Sequence, residues 1–268
     1  MPKVPLQDGT AIEVAIHGSG PAVLLPVGPQ PSAETPDGRT DPAEGNPLVE
    51  GLRDEFRVVV FDYEGHLGRH PRPDTLTPGN ITADLLAIAN AARADRFAYY
   101  GYSWLGMSGL QLAIRTRRLS ALVIGGFPPI DGPYAQALRA TERAYEATVS
   151  GEPEEGTGEP RARQFVTLYE SLQGFDDRAI QAQVTCPRLC FVGATDEVPY
   201  GQRAGVPLDV GAVVRSRRSE LEAFGWDVRI LDGLDPTEAA QPAHVLRLLR
   251  PWLTAALADD SSPPANDR

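Results

Sequence analysis

The segment that most limits what this chain can become runs from Ala98 to Ala113, Ala-Tyr-Tyr-Gly-Tyr-Ser-Trp-Leu-Gly-Met-Ser-Gly-Leu-Gln-Leu-Ala. An apolar strand pattern passes straight into an amphipathic helix pattern, with a single serine at the change of period. A strand-to-helix turn this tight strains the backbone at Ser103, requires small neighbours two residues away, and lifts the hydroxyl above the edge of a sheet.

The rest of the chain repeats the alternation. Short apolar runs near 11–16, 21–26, 57–62, 97–101, 120–125, 187–193 and 227–231 read as strands. Helical patterns near 81–93, 104–116, 212–224 and 239–257 are long enough for right-handed crossovers, so the sheet is expected to be mostly parallel and buried on both faces. Only the first two strands are close enough to form a hairpin. Residues 27–47 are loaded with Pro and Gly and are expected to border a site. An insertion over about 127–186, with polar helices within 132–183 broken by the acidic run 151–160, is placed where a lid would go. The expected organisation is one α/β domain over 1–257, followed by a polar, Pro-rich tail over 258–268 that cannot bury enough surface to order itself.

Composition narrows the function. A formal net charge of -11 over 268 residues opposes binding to nucleic acid or to an anionic membrane surface. Cys186 and Cys190 are too few and too close for a disulfide framework, and no further Cys/His pair completes a zinc site. No apolar run reaches the length of a membrane helix or a signal segment, which fits a cytoplasmic protein with no cofactor and no metal, acting on a small molecule. The sequence is compatible with a homodimer.

The serine bend resembles the G-x-S-x-G nucleophile elbow of the α/β-hydrolase fold superfamily. Gly101, Tyr102, Ser103 and Trp104 match, whereas Leu105 takes the second small position and Gly106 comes one step late. The resemblance extends along the chain. Ile16 to Leu25 is similar to the family's second hairpin, and Val58 to His66 to its D-x-R-G-x-G strand and turn. Cys190 to Glu197 is similar to the strand ending in the triad acid, which implies Asp196 in that role. Ile230 to Glu238 is similar to the segment that carries the triad histidine. The implied fold is a twisted, mostly parallel sheet of about eight strands flanked by helices, with a small helical lid.

Two departures bear on chemistry. Aligned on the family, the histidine position is Pro236, which has no proton to exchange, so Asp196 would have no base to orient. The residue implied as second oxyanion donor is Pro29, after Gly28, and proline has no amide hydrogen; the Trp104 amide supplies the first donor. His17, His66 and His70 read as structural. His244, eight residues beyond Pro236 on the helix expected over 239–257, would stand about 12 Å along its axis. Among carboxylates expected near the strand ends, Glu64 and Asp235 are alternative bases, beside Asp196, Glu197 and Glu238; helix capping is the competing role for Asp235 and Glu238. Tyr63, Tyr102, Trp104, Phe127, Tyr134 and Tyr200, with Gly28, Pro29 and Pro236, are expected to line an apolar pocket.

Three readings stay open at this point. One is an enzyme with altered chemistry of lyase, cyclase or isomerase type on a small, partly apolar molecule. The second is an esterase-like serine hydrolase whose base comes from an unexpected position such as His244. The third is a non-catalytic ligand-binding relative.

Overall fold

The computed structural model describes residues 1–28, 46–151, 158–195, 205–206 and 208–258. The strands form where β-branched and aromatic residues cluster: β1 (Lys3–Pro5), β2 (Ala11–Glu13), β3 (Ala15–His17), β4 (Ala22–Leu25), β5 (Arg57–Val60), β6 (Phe97–Tyr102), β7 (Leu119–Gly125), β8 (Arg188–Gly193) and β9 (Trp226–Leu231). The helices are α1 (Pro47–Glu50), α2 (Tyr63–Arg69), α3 (Pro78–Ala91), α4 (Trp104–Ala113), α5 (Tyr134–Val149), α6 (Glu159–Glu170), α7 (Val210–Ala223), α8 (Pro236–Ala239) and α9 (Pro242–Ala256), with a 3₁₀ turn over Gln181–Gln183.

Seven strands make the main sheet in the order β3-β5-β4-β6-β7-β8-β9. Every neighbouring pair in it is parallel except β3 with β5. Strands of this kind are buried on both faces, and β7 is buried at every position. One face packs under α3, α4 and α7 through Ile81, Leu85, Leu110, Val214 and Leu221. The other is closed by α1 and α9, where Val245, Leu249, Leu253 and Leu257 recur every four residues against Val23, Val60, Ala98 and Val123. The insertion between β7 and β8 holds α5 and α6. Among the described residues, no helix is long and apolar enough to cross a membrane.

The structure corrects the sequence reading in four places. The expected strand 11–16 is two strands broken at Val14, whose amide donates to the Pro2 carbonyl. Ile12 and Val14 enter one core and Ala15 the other, so β2 pairs with β1 in a separate two-stranded ribbon while β3 joins the main sheet. Among the described residues the main sheet has seven strands, close to the eight or so expected. Nor do β3 and β4 form the expected hairpin, because β5 lies between them. The backbone of 53–56 passes so close to Gly18, at φ 73°, that a Cβ there would overlap the Arg53 and Phe56 carbonyls. The turn after β5 is helix α2, started by Asp62, whose carboxylate accepts from the Gly65 amide at 2.8 Å. Finally, the helix expected over 239–257 is α8 followed by α9, because Pro242 restarts it at a first-turn position.

A buried polar chain fixes the β1–β2 ribbon to the layer beneath α2 and α3. Arg72 donates to Asp8 at 2.7 Å and to Asp84 at 2.6 Å, and Asp84 also accepts from the Tyr63 hydroxyl at 2.7 Å and the Gln7 amide at 2.9 Å. Asp84 falls on the apolar stripe of α3, between Ile81 and Ile88, so a charge in that stripe requires such partners. The same loop holds α6: the Arg72 amide donates to Gln164, and the Thr167 hydroxyl donates to the Pro73 carbonyl.

Candidate active site at the β6–α4 bend

Ser103 sits at φ 55° and ψ −127°, a left-handed backbone that an L-residue adopts only when its surroundings impose it. Those surroundings are visible. The Ser103 amide donates to the Gly125 carbonyl at 2.8 Å, which ties the bend to the end of β7. A Cβ at Gly101 would overlap the Leu105 carbonyl, and one at Gly106 would lie 3.1 Å from both the Gly101 and Gly125 carbonyls. The second tight approach is thus met by Gly106, one residue later than the family spacing. Leu105 turns into the core beneath, and its carbonyl accepts from the Tyr99 hydroxyl at 3.0 Å. The elbow geometry survives the one-residue departure.

Helix α4 starts at this bend. Its first intrahelical bond runs from the Met107 amide to the Ser103 carbonyl. The Trp104 amide precedes that bond at the positive end of the helix, where it is suited to meet a developing negative charge. Ser103 and Trp104 are half-buried, and among the described residues nothing hydrogen-bonds to the Ser103 hydroxyl. A hydroxyl at the open edge of a parallel sheet, beside a helix N-terminus, can attack or orient a carbonyl carbon.

The remaining sequence candidates fall into distinct groups. Tyr102 is half-buried and donates from its hydroxyl to the Pro236 carbonyl at 2.9 Å, so the bend and the start of α8 touch. Gly28, three residues beyond β4, lies beside the Asp62 carboxylate, and its carbonyl accepts from Asn46. Tyr63 is 0% exposed and its hydroxyl is committed to Asp84; its ring stands behind Trp104, 6.2 Å between centroids. Phe127 and Tyr134, 4% and 8% exposed, pack on each other at 5.8 Å, and Tyr134 packs on Phe175. These three aromatics are core supports for the site's walls. Asp196 and Pro29, with Glu197 and Tyr200, lie outside the described residues. Thr195 is described; its amide and hydroxyl both donate to the Leu234 carbonyl, so the end of β8 lies against the loop leading to Pro236.

Of the alternative bases, Asp235 is the N-cap of α8. Its carboxylate accepts from the Glu238 amide at 2.8 Å while Glu238 accepts from the Asp235 amide at 3.0 Å, a complete capping box with Pro236 as the first helical residue. The capping role competing for these two residues is the one they play. His244 is half-buried in the first turn of α9. The 12 Å axial separation inferred from a continuous helix does not apply, because the helix restarts at Pro242. His66 is buried, with Nε2 2.9 Å from the Thr10 hydroxyl and its ring 4.9 Å from that of His70. Burial, then the neighbouring charge of His70, pushes its pKa down. No described histidine hydrogen-bonds to Ser103.

Glu64 is different. Its side chain is exposed, yet burial among surrounding protein atoms pushes its pKa up, with Arg161 pulling it down and Asp62 raising it further. The residue thus meets solvent while neighbouring protein atoms crowd its carboxyl. Two residues that the sequence reading passed over stand here. Phe165 of α6 meets the Trp104 ring edge-on at 5.4 Å. Arg161, one helical turn earlier on the same face, packs on Gly68 of α2, where a Cβ would lie 3.4 Å from the guanidinium carbon. The i,i+4 spacing of Arg161 and Phe165 within the insertion was the available signal.

No protein-family model matches the chain. A relative named for carbamate hydrolysis, RutD of Agrobacterium fabrum, is 37% identical over 76 residues, which is 27% of this chain and 28% of that protein. The homoserine O-succinyltransferase of Xanthomonas campestris pv. campestris is 35% identical over 125 residues, 46% of this chain and 33% of that protein. The chain thus matches about a third or less of the length of these curated relatives. A solved structure from work on carboxylesterases of the thaumarchaeon Nitrososphaera gargenis superposes with TM-score 0.64 at 16% identity, covering 96% of this chain and 100% of that one. Likeness over whole chains at such identity establishes fold. With the strained serine bend and the parallel sheet that carries it, the comparisons give this chain the α/β-hydrolase fold.

Proposed function

We propose that the chain takes up a small, partly apolar organic molecule at Ser103 and acts on it with chemistry altered from that of an ordinary triad hydrolase, of lyase, cyclase or isomerase type. The observation that carries this reading is the retained strain at Ser103, at φ 55°, which costs on the order of 1–3 kcal/mol and persists only where the structure enforces it. Its hydroxyl has no described base, and the residue aligned with the family histidine, Pro236, opens a self-contained capping box. A serine without a base is a poor nucleophile but a good hydrogen-bond partner for a substrate oxygen. The half-buried Trp104 and Phe165 supply apolar surface beside it. No nucleic acid, membrane, metal or cofactor enters the reading.

A second reading, a serine esterase with His244 as base, is favoured by one observation: the break before Pro242 puts His244 in the first turn of α9. The relatives named for carbamate and carboxylic-ester hydrolysis point the same way.

A fluorophosphonate probe followed by intact-mass analysis separates the two. Under the first reading Ser103 is labelled slowly, His244→Ala changes nothing, Ser103→Ala abolishes labelling, and Pro236→His accelerates it. Rapid labelling that disappears in His244→Ala, together with brisk turnover of p-nitrophenyl butyrate, would overturn the first reading in favour of the second. Absence of labelling and of any small-molecule binding would leave a non-catalytic relative.

A further inference from the structure

We propose that Glu64 is the proton-exchanging group of this site and Arg161 its positioning partner, for a substrate that presents a polar head next to an apolar body. The proposal rests on the reading that a small molecule binds beside Ser103, and it adds the group that replaces the missing histidine.

The placement follows from the fold. Helix α2 begins where β5 leaves the sheet edge, so its first turn stands at the same carboxyl-end rim as the bend at Ser103. Tyr63, the residue before Glu64, packs toward Trp104, while Asp62, two residues before, approaches Gly28, three residues beyond β4. Glu64 and Gly68 are one helical turn apart on α2, and Gly68 receives Arg161 of α6. One turn farther along α6, Phe165 rests on the Trp104 indole. Arg161 and Phe165 thus link the helix that carries Glu64 to the Trp104 indole at the bend. A molecule with an apolar body on Trp104 and Phe165 would bring a polar head toward Glu64 and Arg161.

Two of the competing acid–base groups are otherwise engaged. Asp235 caps α8, and His66 is buried against Thr10. Among the described residues, the charged groups facing Glu64 are Arg161 from α6 and Asp62, the N-cap of its own helix. Asp62 is itself engaged by the Gly65 amide and by Arg69 at 3.5 Å. Burial is the leading influence on the carboxyl and raises its proton affinity, which moves it toward the range useful for proton transfer near neutrality. In the forward step the O–H bond of Glu64 breaks and the proton forms a bond to an oxygen or nitrogen of the substrate. The resulting carboxylate is stabilised by Arg161, and the reverse transfer from substrate or water restores the acid. No other reactant is needed.

The test uses the full chain as wild type, Glu64→Gln, Glu64→Asp, Arg161→Met and Ser103→Ala. A ¹³C titration of the glutamate carboxyls should show one resonance, absent in Glu64→Gln, that titrates above the ordinary glutamate range, rises further in Arg161→Met and is unmoved in Ser103→Ala. Benzamide, an apolar ring with a polar head, should shift that titration. Turnover of p-nitrophenyl acetate or Ser103 labelling should follow the same midpoint, fall about 100-fold in Glu64→Gln and recover in part in Glu64→Asp. A resonance in the ordinary range, or one indifferent to benzamide, overturns the proposal. So does Ser103 labelling whose pH profile and rate are unchanged in Glu64→Gln; the serine reading would then stand without Glu64. Conversely, an unlabelled Ser103 with a benzamide-sensitive Glu64 would sink the serine reading and keep the Glu64 subsite.

Discussion

The bend at Ser103 and the loop at Pro236 lie in contact, joined by the Tyr102 hydroxyl on the Pro236 carbonyl, yet they are built on opposite principles. The bend is locally unfavourable and is enforced from outside, by the end of β7, by close approaches at Gly101 and Gly106, and by the packed layer beneath. The loop is locally favourable: Asp235 and Glu238 satisfy each other's backbone amides, and a proline fills the first helical position, where its missing N–H is no loss. Strain maintained by distant contacts marks the place where geometry has been kept against local preference. Next door, the backbone needs no such outside support, because its cap is made by its own residues.

If that contrast is sound, substitutions around the bend are costly and cooperative, and those in the loop are cheap and local. The largest effect is expected from Arg72→Met, which leaves the fully buried Asp84 without its charge partner and should lower unfolding free energy by about 3–5 kcal/mol in urea titration. A loss below about 1 kcal/mol would show that the buried polar chain is not what fixes the β1–β2 ribbon. Gly101→Ala follows, at about 3 kcal/mol, because the new methyl meets a backbone carbonyl that cannot retreat without moving α4. It should also abolish labelling of Ser103. In the loop, Asp235→Ala removes one cap and should cost only about 1 kcal/mol, with hydrogen exchange quickened in α8 alone. Spread of that effect into β6 or α4 would erase the distinction between the two regions. Tyr102→Phe tests the link between them and should cost about 1 kcal/mol.

The smallest effect concerns pH. His66 has its proton affinity lowered by burial and by His70, so the unfolded chain binds that proton more readily than the folded one. Stability should therefore fall as the pH drops through the ordinary histidine value of about 6.5 toward the lower folded value. His66→Gln should flatten this slope in melting curves recorded from neutral to mildly acid pH.

Much of this arrangement was readable before any coordinates. The parallel strands announced themselves as continuous apolar runs, and the serine at the change of period located the bend. What escaped was set by tertiary contacts. Ala-Ile-Glu-Val-Ala-Ile, residues 11–16, reads as one strand, and only the division of Val14 and Ala15 between two cores splits it. Helix α2 was hidden by its two glycines; Gly65 and Gly68 are poor helix formers, tolerated because Asp62 caps the helix and Arg161 crosses it. Gly106 looked misplaced until the close approach of β7 showed that a one-residue delay still meets the carbonyls of Gly101 and Gly125. Asp84 in an apolar stripe was a legible anomaly, but its partners at Asp8, Arg72 and Tyr63 are scattered along the chain and cannot be paired from spacing.

Helix α9 closes much of one face of the sheet, and Arg250 joins it to Asp54 and Glu55 at 2.6 Å across some 195 residues of chain. During synthesis, strands β4 to β8 must therefore emerge and wait with Val23, Val60 and Val123 uncovered until α9 is translated. A ribosome stalled short of Leu249 would hold a sticky half-sandwich, so the protein's yield in a cell should depend on what shields that bare face in the interval.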